Sequence, residues 1–167
     1  MSTAIFYGSS TGNTQSAAEA IAKTLDIKEV FDISKDGIAR IDEYDNVILG
    51  TSTWGEGDLQ DDWDSEWSGF EQLDFSGKTV ALFGLGDQES YSDHYLDAMG
   101  MIYETIIKNG AKVIGEWPSD GYMHDESTAE VEPGFFVGLA LDEDNESDLT
   151  AARIDSWCLQ IKDKIMQ

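Results

Sequence analysis

The sequence predicts an α/β fold in which a doubly wound, five-stranded parallel sheet is covered by helices on both faces. Short apolar runs alternate along the chain with segments of helical periodicity, in the order βαβαβαβαβα. The apolar residues of these runs are continuous, as in Val47-Ile48-Leu49, which is typical of strands buried on both faces. Because the 167 residues show no internal repeat or linker, we expect one domain over residues 1–167.

The strands are placed on the apolar runs and the helices on the segments with helical spacing. We expect strands at residues 4–7, 28–33, 46–50, 79–84 and 112–117, the last resuming at 135–141. We expect the longer helices at residues 15–25, 61–73 and 93–109, and a final helix after residue 148 that buries Trp157 and Cys158. The fifth strand is therefore interrupted by the polar stretch 118–134. This stretch could be a partner-docking surface or a passive lid on the sheet edge, and we favour docking.

The charge of the chain narrows its classes of partner. Lys and Arg together number 10 against 34 Asp and Glu, which gives a formal net charge of −24. Nucleic acids and anionic membranes would repel such a protein, whereas a basic protein surface would attract it. High solubility or adaptation to a salty habitat would also account for the charge.

The cysteine content and the N-terminus favour a cytoplasmic protein. Cys158 is the single cysteine, so the chain forms no intramolecular disulfide and no cysteine-ligated iron–sulfur cluster. Residues 1–4 lack the basic start of a signal peptide, and no long apolar segment follows them. No stretch approaches the roughly 20 apolar residues that span a bilayer.

The stretch Gly8–Thr14, GSSTGNT in one-letter code, links the first strand to the first helix. It combines several hydroxyl groups with the unpaired backbone N–H groups and the positive dipole end of a helix start. These features favour an anion, most often a phosphate. The stretch contains no Lys or Arg, so neutral donors alone would hold the anion. The alternative is that its Ser and Thr residues only cap the helix.

Two further loops follow the third and fourth strands, and all three loops should meet at the carboxyl edge of the sheet. The second loop, residues 51–58, carries Trp54 beside two glycines. The third, residues 85–94, carries Tyr91 after Gly86-Asp87-Gln88. A phosphate site next to two aromatic side chains suits a flat, phosphorylated ring that stacks between them. Either aromatic taken alone is more often an ordinary core or surface residue.

The chain resembles the flavodoxins, specifically the long-chain type, over essentially its whole length. The stretches that carry the resemblance are GSSTGNT, TSTWGEGDLQDDW, GLGDQESYSD and, after the interruption of the fifth strand, FVGLALDEDNESDLT. The first stretch alone has limited specificity. Its combination with the two aromatic loops and the split strand makes the resemblance specific.

The resemblance implies that the ligand is FMN, bound without a covalent link. The phosphate would be held by the first loop, through Ser9, Ser10, Thr11, Gly12, Asn13 and Thr14. Trp54 would cover one face of the isoalloxazine ring and Tyr91 the other. The polar edge of the ring would meet backbone from two stretches, Thr53 to Gly57 (with Gly55 and Glu56 beside the ring nitrogen N5) and Gly86, Asp87 and Gln88. Asp144 is expected on the ribityl or phosphate side.

The resemblance also implies a function, that of a low-potential one-electron carrier which shuttles between semiquinone and hydroquinone states and donates electrons to redox enzymes. The Gly55 carbonyl would stabilise the one-electron state by accepting a hydrogen bond from N5–H, and the acidic residues around the ring would disfavour the second negative charge. A monomer is expected, with basic redox partners such as an NADPH-ferredoxin or flavodoxin reductase. His94 stands where the family often has Asn. A titratable group there could make cofactor binding or the potential depend on pH, but we expect a solvated histidine at the start of the helix.

Two other functions are possible for this fold. An FMN-dependent NAD(P)H:quinone reductase would need an open ring face, which Tyr91 would block. It would also need a basic cluster for the NADPH phosphate, and the sequence has none. A phosphoacceptor receiver domain would need paired acidic residues after the first strand and an acceptor Asp after the third. The chain instead has Gly8-Ser9-Ser10 and Gly50-Thr51-Ser52 at those places. Since no catalytic base or nucleophile stands out either, we expect an electron-transfer protein and not an enzyme.

Overall fold

The computed structural model describes residues 3–54 and 57–165. The strands are β1 (Thr3–Tyr7), β2 (Glu29–Asp32), β3 (Asn46–Trp54), β4 (Asp58–Leu59), β5 (Thr79–Leu85), β6 (Lys112–Ile114), β7 (Trp117–Pro118), β8 (Phe135–Phe136) and β9 (Leu139–Leu141). The α-helices are α1 (Asn13–Leu25), α2 (Ile33–Asp36), α3 (Asp61–Phe70), α4 (Asp97–Lys108) and α5 (Thr150–Ile165). Within these described ranges, no helix combines the length and the apolar character needed to cross a bilayer.

The central sheet is parallel, and its strands lie side by side in the order β2-β1-β3-β5-β6. The fifth position of the sheet is divided between two short strands. β6 pairs with Thr79–Ala81 at the start of β5, and β9 pairs with Phe83–Leu85 at its end. The structure thus confirms the predicted α/β fold, with five strand positions and an interrupted fifth strand.

Two glycines mark the ends of the interruption. Gly115 has a φ of +87°, which ends β6 three residues before the predicted end of the strand. At Gly138 a Cβ atom would lie 2.1 Å from the Leu82 carbonyl oxygen, so only glycine lets the returning chain approach β5 closely. Between them, Trp117 and Phe136 pair in the antiparallel hairpin β7–β8. The predictions of strand through residue 117 and of an unbroken strand over 135–141 were therefore wrong.

Side chains of each central strand alternate between two apolar cores, one on each face of the sheet. Ile5 and Phe83 face the core formed with α1 and α5, where Trp157 and Cys158 are buried as predicted. Phe6 and Leu82 face the other core, which α3, α4 and part of the insertion cover. Burial on both faces explains why the apolar runs in the sequence are continuous.

Three other boundaries differ from the prediction. The helix expected from Asp93 begins at Asp97, because residues 88–95 form turns and Leu96 adopts a left-handed φ of 61°. α3 ends at Phe70 and not at residue 73. β3 extends through Trp54 and pairs antiparallel with β4, so residues 51–54 of the predicted second loop belong to a strand.

Candidate functional site

A cleft of about 410 Å³ opens at the carboxyl edge of the sheet, where β1, β3 and β5 end. This volume is within the range of sites for drug-sized ligands. The cleft brings together the three loops singled out in the sequence and the acidic segment after β9. Its lining residues are Thr11, Asn13, Thr14, Ser52, Thr53, Trp54, Leu85, Gly86, Asp87, Tyr91, Glu143 and Asp144.

The first loop leaves backbone donors unused at the start of α1. Gly12 occupies the N-cap position with a φ of +93°, and no described side chain caps the helix. The Ser16 N–H donates to the Gly12 carbonyl, which leaves the N–H groups of residues 13–15 without an intrahelical acceptor. Ser9 Oγ accepts a hydrogen bond from the Gly12 N–H at 3.0 Å. The alternative interpretation, that the hydroxyls cap the helix, therefore does not hold for this loop.

The second wall of the cleft is the end of β3. Trp54 is 40% exposed, which is unusual for so large an apolar side chain. Thr53 Oγ1 accepts a hydrogen bond from the Ala98 N–H at 3.1 Å and so connects this wall to α4. Ser52 Oγ is buried and has no hydrogen-bond partner among the described residues. Gly55 and Glu56, predicted beside the ring, lie outside the described residues.

The third loop is stabilised by its own polar groups. Asp87 Oδ1 accepts hydrogen bonds from the N–H groups of Glu89 and Ser90, at 3.2 and 2.8 Å, and from Asn145 Nδ2 at 2.8 Å. Burial opposes ionisation of Asp87, but these hydrogen bonds outweigh it and lower the pKa of the carboxyl group. Tyr91 follows this turn and is 46% exposed towards the cleft.

Asp142 anchors the third loop to the segment after β9. Its side chain is fully buried, and its carboxylate accepts hydrogen bonds from the backbone N–H groups of Gln88, Asp144 and Asn145 and from Asn145 Nδ2. The Gly86 N–H donates to the Leu141 carbonyl. Of the three N–H groups from residue 86 to 88, that of Asp87 alone makes no hydrogen bond to the described chain.

Acidic side chains surround one end of the cleft. Asp87, Glu143 and Asp144 line it together, and no Lys or Arg is among the lining residues. Burial raises the pKa of Asp144, and the nearby charges of Asp87, Asp142 and Glu143 raise it further. This part of the cleft therefore disfavours the addition of negative charge.

The insertion between β6 and β9 packs against the third loop. The N–H groups of Asp125 and Glu126 donate to the Ser92 carbonyl, at 2.8 and 3.0 Å. The Met123 N–H donates to Gln88 Oε1, and the Thr128 N–H donates to Asp97 Oδ1 at 2.9 Å. The insertion thus supports the loop that carries Tyr91, a role that neither the docking nor the lid hypothesis included.

His94 and His124 both pair with carboxylates. His94 Nδ1 lies 3.0 Å from Asp97 Oδ2, and its side chain is 41% exposed. His124 Nε2 lies 2.7 Å from Glu130 Oε1 in the insertion. The exposure of His94 agrees with the predicted solvated histidine, although its ion-pair geometry with Asp97 was not anticipated.

The structure brings most of the predicted site residues into one cleft. Those that line it are Thr11, Asn13, Thr14, Thr53, Trp54, Gly86, Asp87, Tyr91 and Asp144. Those that do not line it are Ser9, Ser10, Gly12, Gly57 and Gln88. Sequence reasoning missed Ser52, Leu85 and Glu143. Ser52 and Leu85 are register partners at the ends of β3 and β5, so the rule that ligands bind beyond strand ends could have identified them.

A phosphorylated, planar cofactor needs hydrogen-bond donors for its phosphate and aromatic side chains for its ring, and the cleft has both. The N–H groups at the start of α1 and the Ser52 hydroxyl have no partner among the described residues and offer neutral donors. Trp54 and Tyr91 offer two exposed aromatic faces. A family model described as flavodoxin matches residues 5–157. The chain belongs to the flavodoxin family. Flavodoxins are FMN-binding electron carriers and not enzymes, and the donors and aromatics of the cleft fit that cofactor.

Curated relatives match nearly the whole chain. A flavodoxin from Picosynechococcus sp. is 47% identical over 161 residues, which cover 95% of this chain and 94% of that protein. Flavodoxin 1 from Escherichia coli is 44% identical over 165 residues, covering 98% of this chain and 94% of the relative. These matches confirm the resemblance to long-chain flavodoxins.

The fold of this chain also matches a solved structure over nearly the whole length of both proteins. The crystal structure of Fusobacterium nucleatum flavodoxin bound to flavin mononucleotide superposes with a TM-score of 0.92. It is 34% identical to this chain and is matched over 98% of both chains.

Proposed function

We propose that this chain binds FMN in the cleft and carries single electrons at low potential between the one-electron-reduced and the fully reduced flavin. The observation that carries the proposal is the pairing of a neutral donor loop with two exposed aromatic side chains across one cleft. When bound, FMN supplies the redox chemistry, and the protein sets the relative energies of its states. The matches to flavodoxins support the cofactor assignment.

The phosphate end is assigned to the first loop. The N–H groups of residues 13–15 point out of the start of α1 and are free to bind an anion. Thr11, Asn13 and Thr14 add their side chains from the cleft wall. Ser9 and Gly12 contribute through the shape of the loop, since Ser9 Oγ accepts the Gly12 N–H. Ser10 Oγ accepts a hydrogen bond from Gln60 Nε2, so its own hydroxyl hydrogen is available for the phosphate.

The ring end is assigned to the aromatic walls. Trp54 and Tyr91 would cover the two faces of the ring, which buries apolar area on both sides. The backbone of residues 86–88 would meet its polar edge through the Asp87 N–H, because the N–H groups of Gly86 and Gln88 already have acceptors. The contacts proposed for Gly55, Glu56 and Gly57 follow from the family motif.

A low potential for the second electron follows from the charges around the cleft. Asp87, Glu143 and Asp144 line it, and the chain has a net charge of −24. Adding an electron to an already reduced ring in this partly dry site is opposed by Coulomb repulsion, which low dielectric strengthens. The first loop contains no cation, so the phosphate would be bound without offsetting that repulsion.

The same charge indicates the kind of partner. A strongly acidic protein associates through brief, salt-sensitive encounters with basic surfaces. We propose basic redox partners, with an NADPH-ferredoxin or flavodoxin reductase as an electron donor. We place the protein in the cytoplasm as a monomer, in which the whole chain acts as one FMN-binding domain.

Reconstitution and reductive titration test the proposal. The purified protein should bind FMN and turn yellow, and stepwise reduction with dithionite should pass through a one-electron form that absorbs at long wavelength. A protein that stays colourless after incubation with FMN would refute the cofactor assignment. A titration that passes directly to the fully reduced flavin would refute the one-electron role.

The electrostatic part of the proposal has its own test. The triple variant Asp87→Asn, Glu143→Gln, Asp144→Asn should show a higher potential for the second electron. A matched control neutralises the exposed carboxylates Glu71, Glu104 and Asp163, which do not line the cleft. If both triple variants shift the potential equally, net charge and not the local carboxylates sets it.

A further inference from the structure

Gln60 is a buried polar side chain between the first loop and α3. Its exposure is 1%, although glutamine is mostly found at protein surfaces. It is the N-cap of α3, where Oε1 accepts hydrogen bonds from the N–H groups of Asp62 at 3.1 Å and Trp63 at 3.4 Å. Those two donors fix the orientation of the amide group, because an N–H must face an oxygen.

With Oε1 facing the helix, Nε2 faces the first loop. It donates to Ser10 Oγ at 3.0 Å and to Asp62 Oδ2 at 2.8 Å. Ser10 Oγ is therefore an acceptor in this contact, and its own hydroxyl hydrogen remains available to another acceptor.

The backbone of the first loop packs directly on this amide. A Cβ atom at Gly8 would lie 2.2 Å from Gln60 Oε1 and 2.8 Å from Trp63 Cδ1. The Gly50 carbonyl accepts both the Gly8 N–H at 3.2 Å and the Trp63 Nε1–H at 2.8 Å. The first loop and the first turn of α3 therefore share one rigid set of contacts, with Gln60 at its centre.

We propose that Gln60 is a positioning residue for the phosphate end of the bound cofactor. By donating to Ser10 Oγ, it forces the Ser10 hydroxyl hydrogen to point away from α3, so that the hydroxyl can donate to the phosphate. This proposal rests on the assignment of FMN to the cleft. It would give a loop with no Lys or Arg one further donor with a fixed direction.

The test is the variant Gln60→Glu. The new carboxylate retains an oxygen for the N-cap of α3, but it replaces the amide donor by an acceptor and so draws the Ser10 hydroxyl hydrogen towards itself. The hydrogen bond to Asp62 Oδ2 is lost as well, and the cycle described next separates that loss from the effect through Ser10. Loss of one hydrogen bond to a charged group corresponds to a dissociation constant about tenfold higher or more. We expect that weakening for FMN and no comparable change for riboflavin, which lacks the phosphate.

A double-mutant cycle with Ser10→Ala separates this role from simple charge repulsion. If Gln60 acts through Ser10, most of the effect of Gln60→Glu on FMN binding disappears in the Ser10→Ala background. An undiminished effect in that background, or equal weakening of FMN and riboflavin, would overturn the proposal. Should the Gln60→Glu variant not fold, the neutral variant Gln60→Met enters the same cycle with the same two flavins.

The outcomes also distinguish this proposal from the proposed function. If the unmodified protein binds neither flavin, the FMN assignment fails. If it binds FMN and the cycle shows no coupling between Gln60 and Ser10, only the positioning role fails.

Discussion

The loop that follows β1 and the loop that follows β5 face the same cleft but use their polar groups differently. In the first loop, the N–H groups of residues 13–15 have no acceptor in the described chain. In the third loop, the carboxylates of Asp87 and Asp142 accept the N–H groups of Gln88, Glu89 and Ser90.

This difference corresponds to what each loop presents to a ligand. An anion supplies its own acceptors, so a loop that binds it must keep donors free at the start of a helix. An aromatic wall offers a face and not a hydrogen bond, so the loop that holds Tyr91 can satisfy its polar groups internally and become rigid. The first loop therefore keeps three N–H groups for its ligand, whereas the third keeps that of Asp87 and satisfies its neighbours within the described chain.

The largest effect that tests this contrast is expected at Asp142. The substitution Asp142→Ala leaves three backbone N–H groups, of Gln88, Asp144 and Asn145, without their acceptor. We expect the ligand-free protein to lose about 3 kcal/mol in free energy of unfolding, measured by urea denaturation. In the first loop, Thr11→Ala should change the same quantity by less than about 0.5 kcal/mol, because Thr11 is exposed.

Asp148→Ala is the matched control, since Asp148 is exposed and belongs to the same acidic segment. A loss at Asp142 no greater than at Asp148 would show that the third loop does not depend on the buried carboxylate.

The packing of the insertion against α4, beside the third loop, can be tested at Gly100 in α4. A Cβ atom there would lie 2.5 Å from Thr128 Oγ1 and 2.8 Å from the Ala129 N atom, so Gly100→Ala must displace the insertion. We expect destabilisation by about 2 kcal/mol, the range of overpacked sites. The helical glycine Gly69 is the control, because its Cβ would lie at an ordinary 3.5 Å from Ile38 Cδ1.

Gly69→Ala should stabilise the protein by up to about 1 kcal/mol, since alanine favours a helix over glycine. Both variants are compared by thermal and urea unfolding. If Gly100→Ala also stabilises, the insertion is not packed on α4 as the structure shows.

The contrast between the loops also explains which features the sequence could predict. The first loop is a local unit, with strand, hydroxyl-rich turn and helix start adjacent in the chain, and three of its residues, Thr11, Asn13 and Thr14, line the cleft. Trp54 and Tyr91 were found because strand ends in a parallel sheet meet at one edge. The parallel order and the split fifth strand followed from continuous apolar runs and one polar interruption.

Contacts between distant segments could not be predicted in this way. Gln60 meets Ser10 across 50 positions of the chain, and Asp142 meets Gln88 across 54. Neither residue type nor spacing distinguishes these side chains from ordinary surface residues. The role of the insertion was missed for the same reason, because its hydrogen bonds join backbone groups such as the Ser92 carbonyl, which have no sequence signature.

A smaller effect is expected at Gln88, which joins the third loop to the insertion. Its side chain is fully buried, Nε2 donates to Glu146 Oε1 at 2.6 Å, and Oε1 accepts the Met123 N–H. Gln88→Leu keeps the volume of the side chain and removes both hydrogen bonds. We therefore expect the free energy of unfolding to fall by about 1 kcal/mol.

Hydrogen exchange locates this effect. The Met123 amide should lose more protection in Gln88→Leu than the amides of β1, which should exchange faster only by the roughly fivefold factor that a global loss of about 1 kcal/mol sets. Uniformly faster exchange would mean that Gln88 supports the whole domain and not the contact between the third loop and the insertion.

The smallest effect is a pH dependence that only the third loop should show. Hydrogen bonds lower the pKa of Asp87 in the folded protein below its ordinary value of 3.8, although burial opposes them. The stabilisation by the ionised carboxylate is therefore complete above that value and is lost as the pH falls through the lowered pKa. The difference in unfolding free energy between the unmodified protein and Asp87→Ala should shrink on acidification below pH 3.8.

Ser9→Ala provides the comparison in the first loop, where the hydroxyl that accepts the Gly12 N–H does not titrate. The difference in unfolding free energy between the unmodified protein and Ser9→Ala should therefore stay constant over the same range. Urea titrations followed by tryptophan fluorescence suit this measurement because they need little protein. A low concentration limits association, which is favoured near pH 4.1, where the net charge vanishes. If the difference for Asp87→Ala stays as constant as that for Ser9→Ala, the assignment of the Asp87 carboxylate as an ionised cap is contradicted. A flatter stability profile for Asp87→Ala than for the unmodified protein and Ser9→Ala would locate this acid sensitivity in the third loop.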